Sequence, residues 1–453
     1  MTVPMTSTDS LRAILEQNRS GKAVGVYSIC SANRFVIETG MLQAQRDRTL
    51  LLIESTSNQV NQFGGYTGQT PVQFAVFVKE IAASMNFPTE SIVFGGDHLG
   101  PHVWRMEPSS SAMQKAQELV RQCVLAGYTK IHLDASMRLA DDSGDRHQPL
   151  AAEIISDRAA ELCKVAEEAH SQLPPGSPAP LYVIGTEVPI PGGEVLDAQA
   201  PEVTHVEDLS QTLQLAHRAF KKRGLEVAWR RVIAVVVQPG VEFGDAIVFP
   251  YLPEKAHALS QCVPDQWHGV YEAHSTDYQQ SAALRHMVRD HFAILKVGPW
   301  LTFAFREAAF ALESVEQEWL GSRKGTVLSG LREALDDAML ADPQYWRNYY
   351  VGDDAALRFA RKYSLSDRSR YYWQVPAVAA SLHKLLANLI THPAPVTLLS
   401  QYLPNQTAAV LAHLISNNPE DLIRNKIGEV IDNYAYACGM TLRLPRPTAE
   451  SLA

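Results

Sequence analysis

Short apolar runs alternate with longer amphipathic stretches along most of the chain. Each run is rich in β-branched residues and ends at glycines or polar residues, which is typical of buried strands that stop at a turn. The stretches between them, such as SSAMQKAQELVRQCVLAG and AAEIISDRAAELCKVAEEAH, repeat apolar residues at helical spacing. The pattern predicts eight strands, at residues 23–32, 49–56, 91–97, 130–136, 181–188, 231–240, 269–277 and 293–299.

Eight alternations of strand and helix over about 300 residues are typical of an α/β protein whose parallel sheet closes into a (β/α)8 TIM barrel. An open, doubly wound sheet is the alternative. The sequence has no GxGxxG after its first predicted strand and no GxxxxGK[ST] anywhere, which disfavours that alternative. We expect the barrel at residues 1–310. Residues 311–453 read as successive helices separated by proline-containing turns, and we expect them to form a helical C-terminal extension packed on the barrel.

The composition is that of a globular protein without a polyanionic partner. The chain has 453 residues, 46% of them hydrophobic, and a formal net charge of −9, so we expect no nucleic acid or membrane surface as a partner. The five cysteines are odd in number and lack metal-type spacing, which indicates reduced thiols. No apolar run approaches the roughly 20 residues of a membrane span, and the N-terminus has no secretory leader pattern, so we expect a cytoplasmic protein.

Polar residues that could carry chemistry follow the predicted strands. The carboxyl ends of barrel strands converge on one mouth, where enzymes of this fold place their active sites. Any one of these residues alone could be a helix cap or a satisfied polar group, but ionisable residues at six strand ends together favour a functional site. The candidates are Glu54, Asn58, Gln59, Asp97, His98, His132, Asp134, Glu187, Gln238, Glu272, His274, Ser275, Asp277, Lys296 and Gly298.

The imidazoles and carboxylates among them suit a divalent metal ion. We expect His98, His132, Glu187 and His274 to hold Zn²⁺, with Mn²⁺ or Mg²⁺ as alternatives, and to leave a position open for substrate. The expected catalytic residues are Asp97 as base or proton shuttle, Glu54, Asp134, Glu272 and Lys296. Lys296 is either a Schiff-base nucleophile or a cation that neutralises the surrounding carboxylates.

Substrate contacts are expected from the loops around this mouth. The loops after the seventh and eighth barrel strands often bind phosphate, which draws attention to Ser275, Asp277 and Gly298. Arg368 and Arg370, in YSLSDRSRYYW, could clamp an anion, although the aromatic residues of that segment could equally pack on the barrel. Asn58, Gln59 and Gln238 complete the predicted substrate-binding set.

Several long segments resemble one family. IESTSNQVNQFGGYTG, GGDHLGP, KIHLDASM, VIGTEVPIPGGE, VVVQPGVEF, VYEAHSTDYQ, ILKVGP, DPQYWRNYY and YSLSDRSRYYW closely resemble the Z-type subunit of class II D-tagatose-1,6-bisphosphate aldolase. The resemblance implies a class II aldolase barrel and a role in bacterial galactitol or amino-sugar catabolism. It also implies that Asp97 and His98 match an acid/base and zinc-ligand pair, and that Glu187 and His274 fall where a carboxylate and another ligand are placed. HSTD stands where the catalytic subunits carry His-Gly-Gly.

The resemblance leaves several functions open. The protein could support or carry out metal-dependent aldol-type chemistry on ketohexose phosphates, or act alone as a ketohexose 4-epimerase. It could instead be an accessory subunit of a catalytic class II aldolase without chemistry of its own, or a sugar-binding barrel, and a homo-oligomer is also to be considered. Some relatives have been called tagatose-6-phosphate kinases, a function that the missing nucleotide-binding glycine motifs disfavour.

Overall fold

The computed structural model describes residues 6–145, 149–186 and 201–441, apart from the side chains of 263–266. Eight parallel strands close into a barrel, as predicted. In chain order they are β1 (Val26–Cys30), β2 (Leu51–Thr56), β3 (Ile92–Leu99), β4 (Lys130–Leu133), β5 (Leu181–Ile184), β6 (Val232–Val236), β9 (Val270–Ala273) and β10 (Phe292–Val297). Around the barrel they run β1-β10-β9-β6-β5-β4-β3-β2. Each strand matches one of the predicted runs, although β3 continues two residues past its predicted end and β10 starts one residue before its predicted start. Between β6 and β9 an antiparallel hairpin, β7 (Glu242–Phe243) with β8 (Val248–Phe249), was not predicted.

Helices follow the strands, as the amphipathic spacing predicted. Several begin at a residue whose side chain accepts from the first free amides: Asn33 accepts from the N–H of Phe35 and Val36, and Thr70 forms a capping box with Gln73. Nine α-helices precede the last barrel strand and a tenth follows it. They are α1 (Ser7–Arg19), α2 (Arg34–Asp47), α3 (Pro71–Ser84), α4 (Ser109–Leu125), α5 (Ala152–His170), α6 (Val206–Lys222), α7 (Glu226–Trp229), α8 (Pro253–Gln266), α9 (Ser281–Arg289) and α10 (Pro299–Leu320), counted over the described residues.

The C-terminal extension is helical, as predicted, and is joined closely to the barrel. It contains α11 (Leu331–Ala341), α12 (Asp354–Tyr363), α13 (Pro376–Thr391), α14 (Val396–Tyr402), α15 (Pro404–Leu411) and α16 (Pro419–Ala437). The last of these packs against α2, α9 and α10 and so fills the helical ring beside β1 and β10. The predicted division at residue 310 falls within α10, and residues on both sides of it belong to one hydrophobic core.

The two ends of the barrel interior differ in polarity. At the amino-terminal end, apolar side chains such as Leu52, Val183 and Ile294 form a separate core cluster, which Leu11 and Leu15 of α1 join. At the carboxyl-terminal end the interior carries charged side chains. The fold therefore closes one end with apolar residues and concentrates the ionisable groups at the other. Nowhere in the part of the chain that the structure covers is there a helix with the length and apolarity needed to cross a membrane.

Candidate active site

Two lysines and three carboxylates form a buried ionic network inside the barrel. Lys130 at the start of β4 pairs with Glu54 of β2 and, with Nζ 2.7 Å from Oε2, with Glu272 of β9. Lys296 of β10 pairs with Glu54 and lies 3.0 Å from Oδ1 of Asp97. All five side chains are almost fully excluded from solvent. Burying so many charges is tolerated only because each one faces an opposite charge.

Three imidazoles lie above this network. The ring centroids of His98, His132 and His274 are 4.9 to 5.3 Å apart. His98 Nδ1 lies 2.7 Å from Asp134, and His274 Nε2 lies 3.0 Å from Oε1 of Glu272. The rings of His98 and His274 are thus each oriented by a carboxylate, an arrangement common around metal ions.

Four of these residues could hold a metal ion. Ligand atoms of Asp97, His132, Glu272 and His274 all lie within 4.8 Å of one another. Two imidazoles and two carboxylates are a donor set that Zn²⁺ and similar divalent ions accept. His98, predicted as a ligand, lies outside this group and pairs with Asp134 instead, while Asp97 and Glu272, predicted as catalytic, are inside it. The remaining predicted ligand, Glu187, lies outside the described residues.

The charge and hydrogen bonding of the site fit such an ion. Glu54, Asp97, Asp134 and Glu272 carry four negative charges and the two lysines carry two positive ones, which leaves two negative charges for a divalent cation or protonated imidazoles to balance. Nε2 of His132 is buried, and it has no hydrogen-bond partner among the described residues. A buried nitrogen without a partner is costly unless it binds something.

The pKa values of the site reflect burial set against close opposite charges. Burial alone would raise the pKa of Asp97, but His98, His132 and His274 outweigh it and hold that pKa well below its usual range. In Glu272 burial is likewise outweighed, chiefly by Lys130 and His274, and the pKa falls to about 2. Burial lowers the pKa of Lys296 to about 8 and also lowers that of His274. The carboxylates therefore stay ionised and His274 favours its neutral, metal-binding form at neutral pH.

The segment GGDHLGP has its composition because the backbone is crowded where β3 ends. A Cβ on Gly95 would lie 2.6 Å from Cγ of Glu54, and one on Gly100 would lie 1.5 Å from the carbonyl oxygen of Asp134. His98 adopts a left-handed conformation with φ of 49°, which is uncommon outside glycine and strains the backbone. The two glycines thus make room for acidic neighbours, and the strained turn aims His98 at Asp134.

A pocket of about 90 Å³ opens above these residues. Of the predicted substrate-binding residues, its walls include Asn58, Gln59, Ser275, Asp277, Gly298 and Arg370. Gln238 and Arg368 are not among the lining residues. The Gln238 side chain accepts from the N–H of Gly240 and Val241, and the Arg368 guanidinium stacks 3.0 Å from the ring centre of Tyr349. The side chains of Gln238 and Arg368 therefore stabilise loops near the site.

Comparison with known proteins identifies the family. The family model described as "D-tagatose-1,6-bisphosphate aldolase subunit GatZ/KbaZ-like" matches residues 11–439. The chain belongs to this family. A solved structure described as that of a probable tagatose 6 phosphate kinase from Sinorhizobium meliloti 1021 is 40% identical and has a TM-score of 0.82, and the match covers 91% of this chain and all of that one. The resemblance inferred from the sequence segments is thereby confirmed.

More distant structures also match. The YdjI aldolase from Escherichia coli K12 is 9% identical with a TM-score of 0.41, over 83% of this chain and 94% of that one. A fructose-bisphosphate aldolase from Campylobacter jejuni is 10% identical with a TM-score of 0.43, over 85% of this chain and 92% of that one. At these TM-scores the likeness is too remote to bear on function.

Sequence reasoning missed some residues of the GatZ/KbaZ-like site. Lys130 lies two positions before His132 on β4 and four before Asp134, which directly follows that strand, so strand alternation alone could have placed Lys130 on their face. Tyr66 and Cys30 also line the pocket. Tyr66 packs edge-on against Tyr371, with 4.6 Å between ring centres, a contact across separate loops that no local pattern signals.

Proposed function

We propose that this GatZ/KbaZ-like protein binds a divalent cation, most simply Zn²⁺, with Mn²⁺ and Mg²⁺ as alternatives, and acts on ketohexose phosphates by aldol-type chemistry. The observation that carries the proposal is the group of four buried donors, Asp97, His132, Glu272 and His274, beneath an open pocket. The family of aldolase subunits to which the chain belongs supports the substrate class. The same proposal places the protein in the cytoplasm, in galactitol or amino-sugar catabolism.

A cation bound there would polarise a carbonyl or a carbon-bound hydroxyl of the substrate. The chain's own residues supply proton handling beside it. Burial would lower the pKa of His98, but Asp97 and Asp134 outweigh it and raise that pKa, which favours the protonated ring. Asp134, 2.7 Å from Nδ1, fixes the ring, and Nε2 lies 3.7 Å from Oδ2 of Asp97. His98 also lines the pocket, where it could exchange a proton with substrate.

Lys296 is better suited to neutralisation than to nucleophilic attack. Its Nζ contacts Glu54 and Asp97 and lies 3.9 Å from Glu272, so its positive charge has three acidic neighbours. A Schiff-base lysine must lose that charge before it attacks. Burial eases the loss by lowering the pKa to about 8, but the contacts with three carboxylates oppose it. We therefore favour the metal-assisted route over the Schiff-base route.

The reaction that fits this site best is retro-aldol cleavage, followed either by product release or by re-addition that inverts the carbon, which is 4-epimerisation. Support of a separate catalytic class II aldolase subunit is the second candidate, because the family description names a subunit. The name of the Sinorhizobium protein suggests phosphoryl transfer to a sugar phosphate. This sequence has neither phosphate-binding glycine motif, so that activity is not proposed here.

A turnover assay without any partner subunit tests the proposal. The purified chain, supplied with Zn²⁺, Mn²⁺ or Mg²⁺, should cleave or interconvert tagatose and fructose phosphates. His132→Ala and His274→Ala should lower the rate by more than the roughly 10- to 100-fold that loss of an outer partner of a metal ligand costs. His170→Ala, a histidine of α5 whose ring bonds the carbonyl of Ser177, is the control and should retain the wild-type rate.

The outcome also separates the enzyme from the accessory subunit. If the chain with metal shows no turnover, and mixing it with a catalytic class II aldolase only lengthens the half-life of that enzyme, the enzymatic proposal is wrong and the accessory role replaces it.

A further inference from the structure

The amino-terminal end of α10 lies at the pocket wall, after the eighth barrel strand. Free backbone N–H groups at such a position often bind phosphate in this fold, and Gly298 was predicted to do so. In this structure those groups are already bonded. Oδ1 of Asp277 accepts from the N–H of Gly298 at 3.0 Å and from the N–H of Trp300 at 2.8 Å. A carboxylate from the preceding strand end thus occupies the amides that a phosphate would use.

The Asp277 side chain is buried at the amino-terminal end of α10. Its side chain is 2% exposed, and it nevertheless lines the pocket. Burial raises its pKa to about 6, although the amides of Trp300 and Gly298 and the charge of Arg370 lower it, so it is mostly ionised at pH 7. The neighbouring hydroxyls are also engaged: Thr276 donates to the carbonyl of Lys296 at 2.6 Å, and Ser275 donates to Glu242 at 3.0 Å.

The charges around the pocket also disfavour the binding of a phosphate. The cations that line it are Lys296 and Arg370, and the carboxylates that line it are Asp97 and Asp277. Lys296 is shared between Glu54 and Asp97. Arg370 donates to the carbonyl of Asp367 and to the hydroxyl of Tyr371. A bisphosphate brings about four negative charges, and each phosphate prefers several charge-assisted donors.

We propose that Asp277 is a specificity-determining residue that excludes phosphate from the α10 end of the pocket, so that the substrate is a ketohexose carrying at most one phosphate. The proposal rests on the proposed function, since it takes a ketose as the occupant of this pocket. Asp277 in its ionised form accepts hydrogen bonds, so it suits a sugar hydroxyl at the position where a second phosphate would otherwise bind. The substrate of a bisphosphate aldolase would then not be the substrate of this chain.

Ligand binding tests the proposal without any turnover. Calorimetry would compare inorganic phosphate, tagatose, tagatose 6-phosphate and tagatose 1,6-bisphosphate on the wild type and on Asp277→Ala. The wild type should bind the bisphosphate no more tightly than the monophosphate. Asp277→Ala uncovers the two amides and should gain at least about 10-fold in affinity for inorganic phosphate and for the bisphosphate, the size expected of charge-assisted hydrogen bonds.

Two further variants keep the result interpretable. Asp277→Asn retains an oxygen that can accept from both amides and should gain less affinity for phosphate than Asp277→Ala. Glu242→Gln removes the carboxylate that accepts from Ser275 without uncovering the amides of α10, and it should gain much less affinity for phosphate than Asp277→Ala. Tighter binding of the bisphosphate than of the monophosphate by the wild type would overturn the proposal, as would a folded Asp277→Ala protein with unchanged phosphate affinity. The phosphate measurement is independent of metal and of catalysis, so failure of the proposed function would not be mistaken for failure here.

Discussion

At the scale of single residues, the centre of the site is a fully buried lysine held between two carboxylates. Lys130 has no solvent-exposed surface and faces Glu54 and Glu272. Taking an ammonium and two carboxylates out of water costs several kcal/mol per ion, and only their mutual attraction offsets this cost. Lys130 therefore fixes the position of Glu272, one of the four candidate metal ligands.

Replacing this lysine should be strongly destabilising. Lys130→Met leaves Glu54 and Glu272 with less compensation in the barrel interior, and we expect the free energy of unfolding to fall by about 3 to 5 kcal/mol. Urea denaturation followed by circular dichroism measures the change. In the double variant Lys130→Met with Glu54→Gln, one of the uncompensated charges is gone, so part of the loss should be recovered. A single variant as stable as the wild type would show that the network contributes nothing.

Sequence reasoning located most members of the site but not their partners. The ends of parallel strands meet at one mouth, and this rule alone selected Asp97, His132, Glu272 and His274. It could not show that His98 turns towards Asp134, because that depends on the left-handed backbone at His98. Nor could it show that Asp277 bonds the amides of α10, since the contact joins two loops.

At the scale of secondary structure, the eight strands were predictable because each is a short apolar run bounded by turn residues. The hairpin β7–β8 escaped prediction because its strands have only two residues each, too short for any alternation to show. The role of α16 also escaped, since an amphipathic pattern predicts a helix without its neighbours. None of its residues is fully exposed, and the Tyr434 hydroxyl donates to the carbonyl of Thr276 at 2.7 Å.

Removing α16 should therefore prevent the barrel from folding. We expect a chain ending at residue 412, and likewise residues 1–310 alone, to lack a cooperative thermal transition, because α2, α9 and α10 would expose the apolar surface that α16 covers. Circular dichroism melting and size-exclusion chromatography, with the full chain as control, provide the measurement. A cooperative transition in residues 1–310 would instead establish the barrel as an independent domain with its boundary near residue 310.

A point variant tests the same helix in the full chain. Ile431 is fully buried, and Ile431→Ala should lower the free energy of unfolding by about 2 to 5 kcal/mol, the usual cost of truncating a large aliphatic side chain in a core. Urea denaturation gives the value. A decrease in the free energy of unfolding below about 1 kcal/mol would mean that α16 contributes little to the stability of the fold.

At the scale of the whole molecule, apolar residues that stabilise the barrel lie at one end of its axis, and the ionisable residues suited to chemistry lie at the other end. The apolar cluster that α1 covers closes one end, and the ionic network with its imidazoles occupies the other. The alternation of elements and the family segments were enough to predict the barrel and the ionisable residues at its mouth, but not the apolar cluster that α1 covers. The net charge of the site could not be predicted, because it depends on which ionisable side chains point inward. A divalent cation or protonated imidazoles would balance that charge.

Cation binding by the purified chain tests the central claim most directly. After removal of metal with a chelator, isothermal titration with Zn²⁺, Mn²⁺ and Mg²⁺ should show one site per chain for at least one ion. At a free concentration of about 100 times Kd, that ion should stabilise the fold by about 2.7 kcal/mol. His132→Ala and Glu272→Gln should weaken binding at least about 10-fold, as loss of a ligand requires, while His170→Ala should not. Equal binding by wild type and His132→Ala, or no binding by either, would contradict the account.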